Sequence, residues 1–161
     1  MKRILFLAGS ALIAGCAIAP RTSETARFRE SAARYVEAHF AARPLDAVAL
    51  GWHQYDGRFI VPTLANMNSE TERLRVAERV FAPIDPASLP ASDRLDLQLI
   101  QSAIAKELWV REVQLAWRNN PMSYAGALDV SIYLKRDFKP LRGRVEDMTS
   151  ILTNAPALFA A

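Results

Sequence analysis

Apolar residues recur along this chain at helical spacing, and each recurrence is bounded by a breaker or a capping residue. Phe28, Ala32, Tyr35, Val36 and Phe40 fall at i, i+4, i+7, i+8 and i+12, one stripe of a helix predicted from about Ser23 to Ala42. Pro44 ends it and suits the first turn of a short second helix, "PLDAVALG", closed by Gly51. "WHQYDGRFIVPTLANMN", residues 52–68, then reads as a loop, and loops of that length are often functional. Ser69, with Glu72 three residues on, has the form of a capping box. The helix it opens turns Leu74, Ala77, Val80 and Phe81 inward and stops at Pro83.

Ser92 is the expected cap of the longest helix, about 93–118. Leu95, Leu99, Ala103, Trp109, Val113 and Trp117 make one stripe on it, and Leu97, Ile100, Ile104, Leu108 and Leu115 make another. Apolar residues on two sides predict a central helix with several neighbours. "NNP", 119–121, breaks it, and a helix from about Ser123 to Lys135 follows. Pro140 opens the next, with Leu141, Val145, Met148 and Leu152 in one stripe. Asn154 and Pro156 have the form of a cap and first turn for "PALFAA", in which Leu158 and Phe159 have no predicted partner. "FIVPT", 59–63, is the single strand-like stretch, and Pro62 interrupts it. The expected fold is all-α: a multi-helix bundle or array over 23–161, incomplete at its C-terminus and forming the N-terminal portion of a larger helical protein.

The first residues follow another pattern. Lys2 and Arg3 precede "ILFLAGSALIAG", and Ile13-Ala14-Gly15-Cys16 then matches a bacterial lipobox. A cationic start, a short apolar run and small residues before the cleavage point make a secretory signal, shorter than the roughly 20 residues a spanning helix needs. Residues 1–15 are therefore read as a signal peptide and 16–22 as a lipidated tether, with Cys16 the lipidation site. One cysteine allows no disulfide within the chain. Acyl chains on Cys16 would make the membrane a partner through the N-terminus. The expected location is the cell envelope on the periplasmic side, and Ala17 after the cysteine favours the outer membrane in a Gram-negative cell.

Composition changes the picture in one respect. The chain has 20 Lys and Arg against 17 Asp and Glu, and Lys2 and Arg3 fall in the signal, so the remainder is close to balanced. That gives no support for a nucleic-acid partner. Catalytic motifs are absent from the sequence: no His-Glu-x-x-His, no Gly-x-Ser-x-Gly elbow, no Gly-rich phosphate loop and no cysteine pair. His39 and His53 are the two histidines, and Glu37 does not share a face with His39. No catalytic or metal residue, and no cofactor, is assigned within this chain.

"WHQYDGR", 52–58, is the densest polar and aromatic cluster. In one reading Trp52, His53, Tyr55, Asp56 and Arg58 line a binding cleft. In the other, Asp56 and Arg58 organise the loop while Trp52 and Tyr55 plug helix ends. "WRNNPMSY", 117–124, has the same duality, with Tyr124 either cleft or core.

Three segments taken in order resemble the N-terminal third of the bacterial family called domain of unknown function 885: "PLDAVALGWHQYDGR", "SDRLDLQLIQSAIAKELWVREVQLAWRNNPMSY" and "YLKRDFKPLRGRVEDMTSILTNAPALFAA". The resemblance rests on the order of Leu50-Gly51, Tyr55-Asp56, Asp93-Arg94, Asn120-Pro121, Tyr124, Arg136-Asp137 and Pro140-Leu141. It implies a longer, mostly helical exported protein similar to zinc metallopeptidases, whose His-Glu-x-x-Pro-Gly-His helix binds zinc and activates water on a peptide substrate. That motif is not present in this chain, so the chain alone is expected to be inactive. The alternative is a small, complete envelope lipoprotein acting as a non-enzymatic structural or binding module.

Overall fold

The computed structural model of the chain describes residues 23–160, and within them it is all-α, with no strand. The expected signal peptide, Cys16 and the expected tether lie outside the described residues. No helix among the described residues is long and apolar enough to cross a membrane. Three long helices build the first half: α1 (Glu24–Ala42), α3 (Leu64–Phe81) and α4 (Ala91–Leu108), with the short α2 (Pro44–Ala49) between the first two. Ser23 caps α1 by accepting from the Ala26 N–H at 3.1 Å. α3 and α4 pack most extensively, and α1 lies across both.

Their core is Phe28, Leu74, Ala77, Phe81, Leu89, Leu97, Ile104 and Leu108, with Ala32 and Tyr35 packed against it. The Phe28 and Tyr35 rings meet Phe81 edge-on, at 6.3 and 5.8 Å between centroids. Two polar contacts tie the helices together. Arg29 grips the buried Asp93 carboxylate, its Nε 3.1 Å and its Nη2 3.1 Å from Oδ2. Gln101 Nε2 donates to the Phe81 carbonyl at 2.9 Å, satisfying an acceptor at the end of α3.

The second half is made of short helices: α5 (Ala116–Asn119), α6 (Met122–Ala125), α7 (Ser131–Lys135), α8 (Leu141–Leu152) and α9 (Ala155–Ala160). It closes a second core of Ala47, Val48, Tyr55, Tyr133 and Ile151, with Phe40, Trp52, Phe138 and Met148 around it.

Several sequence expectations are corrected here. α3 starts at Leu64, capped by Thr63, which accepts from the Asn66 N–H; Ser69 is inside the helix, and Glu72 pairs with Arg79 instead of closing a capping box. The long loop therefore ends at Thr63 and contains a 3₁₀ turn at His53–Tyr55. Val80 is exposed. Ser92 caps nothing, because Pro90 holds the N-cap position of α4.

The helix expected over 93–118 ends at Leu108 and widens into a π-helical segment, Trp109–Gln114. Leu115 then takes the left-handed conformation, φ 50°. Of its two stripes, Leu97, Ile104 and Leu108 are buried, whereas Leu95, Leu99, Trp109 and Val113 are 57, 60, 54 and 66 % exposed. The helix expected at 123–135 is two helices separated at Gly126–Val130.

On α8 three of the four expected stripe residues are turned out: Leu141, Val145 and Leu152 are exposed, whereas Met148 faces in, together with Arg144 and Ile151. The reason is polar. Arg144 donates to the carbonyls of Tyr133, Lys139 and Arg136 at 2.8, 3.1 and 3.3 Å and pairs with Asp137, so its burial satisfies the end of α7. Leu158, expected to lack a partner, is buried, and Phe159 is exposed.

Candidate functional site

The 50–63 connection is a clasp between the two halves. Gly51 and Gly57, at φ +92° and +69°, supply left-handed turns on either side of the 3₁₀ turn. That geometry drives Tyr55 into the second core, its hydroxyl donating to the Glu37 carbonyl at 3.4 Å, while the Arg58 guanidinium lies 5.4 Å over its ring. Trp52 packs on Phe40 at 4.8 Å. His53 stacks on Phe138 at 4.0 Å and stands 3.2 Å from Asp56 Oδ1.

Asp56 reaches Lys139 Nζ at 3.2 Å, and Lys139 also meets Asp147. Burial alone would lower the Lys139 ammonium, and the bonds from Asp147 and Asp56 outweigh it and raise its pKa. The Gly57 N–H donates to the Tyr133 hydroxyl at 3.0 Å, and Ser150 donates to the Gly57 carbonyl at 3.0 Å. Five sequence candidates, Trp52, His53, Tyr55, Asp56 and Arg58, are thus brought together. Tyr124 is not among them; its hydroxyl donates to the Trp117 carbonyl at 2.7 Å. Trp52 does line a cavity of about 610 Å³ between α1 and α4, with Val36, Glu37, Asp96 and Leu99.

A second cluster has no counterpart among the sequence candidates. His39 from α1, Arg43 from the joint between α1 and α2, Glu70 and Arg73 from α3, Glu107 from α4 and Arg111 from the π-helical segment converge where the three long helices meet. Arg73 holds Glu70 through two bonds, Nε to Oε2 at 2.6 Å and Nη2 to Oε1 at 2.8 Å, and its guanidinium lies 5.5 Å over the Tyr35 ring. Arg43 bridges, donating to Glu70 Oε1 at 2.9 Å and pairing with Glu107.

Burial pushes the Glu70 carboxyl up, and the Arg73 bonds with the charges of Arg73, Arg43 and Arg111 overcome it, leaving its pKa lowered. Burial first, and then Arg43 beside Nδ1 at 3.2 Å, lower His39, with Glu107 at 3.6 Å opposing them. His39 is therefore the neutral imidazole at pH 7. The Tyr35 hydroxyl is buried beside the cluster with no hydrogen-bond partner among the described residues, and burial and Glu107 raise its pKa.

This arrangement does not fit a zinc centre. A zinc site needs three or more His, Cys, Asp or Glu donors converging, and no such group is found among the described residues. His39 has a guanidinium where a cation would sit, and the His53 ring is stacked on Phe138. No chemical step through a metal follows from these residues.

No family model matches the chain, and no curated protein matches it. The fold does match a solved structure from Shewanella oneidensis, described as "a putative lipoprotein of unknown function", at a TM-score of 0.74 and 22% identity. The match covers 83% of this chain and 24% of that one, so the chain spans about a quarter of that structure's length. At this identity the likeness establishes the shared all-α fold.

Proposed function

We propose that this chain is the membrane-proximal helical domain of an exported, lipid-anchored cell-envelope protein, and that it forms one wall of a longer helical structure. The exposed stripe on α4 and the π-helical segment carries the reading. Leu95, Leu99, Trp109 and Val113 are four large apolar side chains on one continuous helical path, and solvation of such a patch is unfavourable. Further helices of the same protein are the occupant proposed for it. The solved neighbour, in which this fold is a quarter of the chain, supports that choice.

Cys16 is the anchor, by the lipobox that ends in it, with the periplasmic face of the outer membrane as destination in a Gram-negative cell. In the same reading the chain belongs to the domain of unknown function 885 family that it resembles. Zinc, peptide substrate and hydrolysis then belong to residues outside this chain, and the helices described here shape the cleft without catalysing.

The test has two parts. Cys16→Ser is expected to abolish palmitate incorporation and move the protein from the membrane to the soluble fraction; unchanged membrane association rejects the anchor. The 161-residue chain is expected to bind an apolar-surface dye, and Leu99→Glu with Val113→Glu to reduce that binding severalfold. Absence of dye binding rejects the wall. A small envelope lipoprotein acting as a structural or binding module then stands, a reading favoured by the two closed cores around Leu74 and Ile151.

A further inference from the structure

Where the three long helices meet, three guanidiniums (Arg43, Arg73 and Arg111) face two carboxylates, Glu70 and Glu107, and His39 is neutral. One positive charge is left over, and the geometry assigns it to a residue. Arg73 and Arg43 are both committed to carboxylate oxygens. Arg111 has no carboxylate within ion-pair distance among the described residues. Glu112, next to it in sequence, is held by Arg75 Nε at 3.0 Å. Burial lowers the Arg111 pKa, the sign of a guanidinium taken partly out of water without a bonded counter-ion.

Arg111 also sits where space is open. It lines two cavities, of about 340 and 380 Å³, that share Met67 as well. The walls combine charge with apolar surface: Ile60 and Pro62 with Glu70 and Arg73 in one cavity, Val110 and Trp117 with Lys106, Arg43 and Glu107 in the other. The backbone beneath it is fixed, since the Trp117 indole donates to the Arg111 carbonyl at 3.2 Å.

We propose that Arg111 anchors a binding site for a small monocarboxylate with an apolar body, the chemistry shared by a peptide C-terminus and a free N-acyl amino acid. A guanidinium is a planar fork that takes a carboxylate through two parallel bonds. Lys106 and the Glu107 carboxylate also line the cavity with Val110 and Trp117, and inorganic phosphate has no apolar body to fill that cavity, which sets it apart from the carboxylate probe. Met67, Val110 and Trp117 receive the apolar part. The site is independent of the wall on α4, because neither cavity includes Leu95, Leu99, Trp109 or Val113.

Isothermal titration of the full chain in detergent, with N-acetyl-L-leucine as probe, tests this. Binding with Kd on the order of 1 mM is expected for a ligand of that size. N-acetyl-L-leucinamide, which lacks the carboxylate, and inorganic phosphate are each expected to bind at least tenfold more weakly. Arg111→Gln is expected to raise Kd tenfold or more, and Arg111→Lys, which keeps charge but loses the fork, to fall between. A C-terminal leucine tripeptide binding more tightly than N-acetyl-L-leucine assigns the site to peptide ends, and weaker binding assigns it to the free acid. Equal affinity for acid and amide, phosphate binding as tightly as the acid, unchanged affinity in Arg111→Gln, or no saturable binding by the wild-type chain overturns the proposal. The acid, amide and phosphate comparisons use the wild-type chain and decide the matter even if Arg111→Gln does not fold.

Discussion

Glu70 is the hinge of the charged cluster, and replacing it with glutamine isolates the cost of losing one buried charge. Its side chain is 10% exposed, and its partners Arg43 and Arg73 are 22 and 21% exposed. Removing one member of a buried pair costs about 3–5 kcal/mol, because the opposite charge is left unpaired. Here the amide keeps one acceptor oxygen, Glu107 still holds Arg43, and water reaches the guanidiniums through their exposed fifth. A loss of about 2–3 kcal/mol remains. For a chain of this size each kcal/mol moves Tm by about 2–4 °C, so Glu70→Gln is expected to melt about 4–12 °C below wild type at pH 7.

The pH dependence checks the origin of the loss. Glu70 has a folded-state pKa below its ordinary 4.5, so its stabilisation is fully present above that value and is lost as pH falls through the folded pKa. Circular-dichroism melts at a series of pH values are expected to show the gap between wild type and Glu70→Gln closing in acid. A gap under about 1 °C at pH 7, or one as wide at pH 3 as at pH 7, refutes the reasoning.

Three other perturbations bear on the same frame. His39 has a lowered pKa, so the unfolded chain takes up its proton first and stability falls as pH drops below about 6.5; His39→Gln is expected to flatten that part of the stability curve, read by denaturant midpoints between pH 5 and 7. Tyr133→Phe leaves the Gly57 N–H without its acceptor inside the clasp and is expected to cost about 1–3 kcal/mol in urea unfolding. Gly57→Ala places a Cβ 3.1 Å from Asp147 Oδ1 on a backbone at φ +69°, and is expected to cost about 1–2 kcal/mol in the same assay.

Legibility in the sequence followed the strength of the local signal. α1, α2 and their breakers were readable because apolar period, Ser23 and Pro44 agree. α3 was misplaced at its start because two good caps compete: Thr63 wins over Ser69, and a helix that has already begun has no use for a second cap. On α8 apolar periodicity pointed the wrong way. Leu141, Val145 and Leu152 have the right spacing, but Arg144 is held inside by three carbonyls that belong to residues 133–139, a tertiary demand invisible in the local pattern. The π-helical turn at 109–114 carried no composition signal at all, and it is what sets the position of Arg111.

The charged cluster shows the same limit from the electrostatic side. Its members recur at spacings of three or four residues, His39 and Arg43, Glu70 and Arg73, Glu107 and Arg111, and of these three only Glu70 and Arg73 form a local ion pair among the described residues. Glu30 with Arg34 and Arg142 with Glu146 have that spacing too, and lie 62–92% exposed. Surface pairs of this kind contribute between zero and about 1 kcal/mol, and a sequence rich in them reads as solvated helix faces. What separates the two sets is the neighbour each face meets. At the C-terminal end of α1, His39 and the following Arg43 meet Glu70 and Glu107 and are shielded with them, whereas Glu30 and Arg34 in the middle of α1 and Arg142 and Glu146 on α8 meet water. Helix crossing therefore turns residues at ordinary i,i+3 and i,i+4 spacings into one partly buried network with a positive charge to spare, and that surplus gives the fold a place to receive an anion.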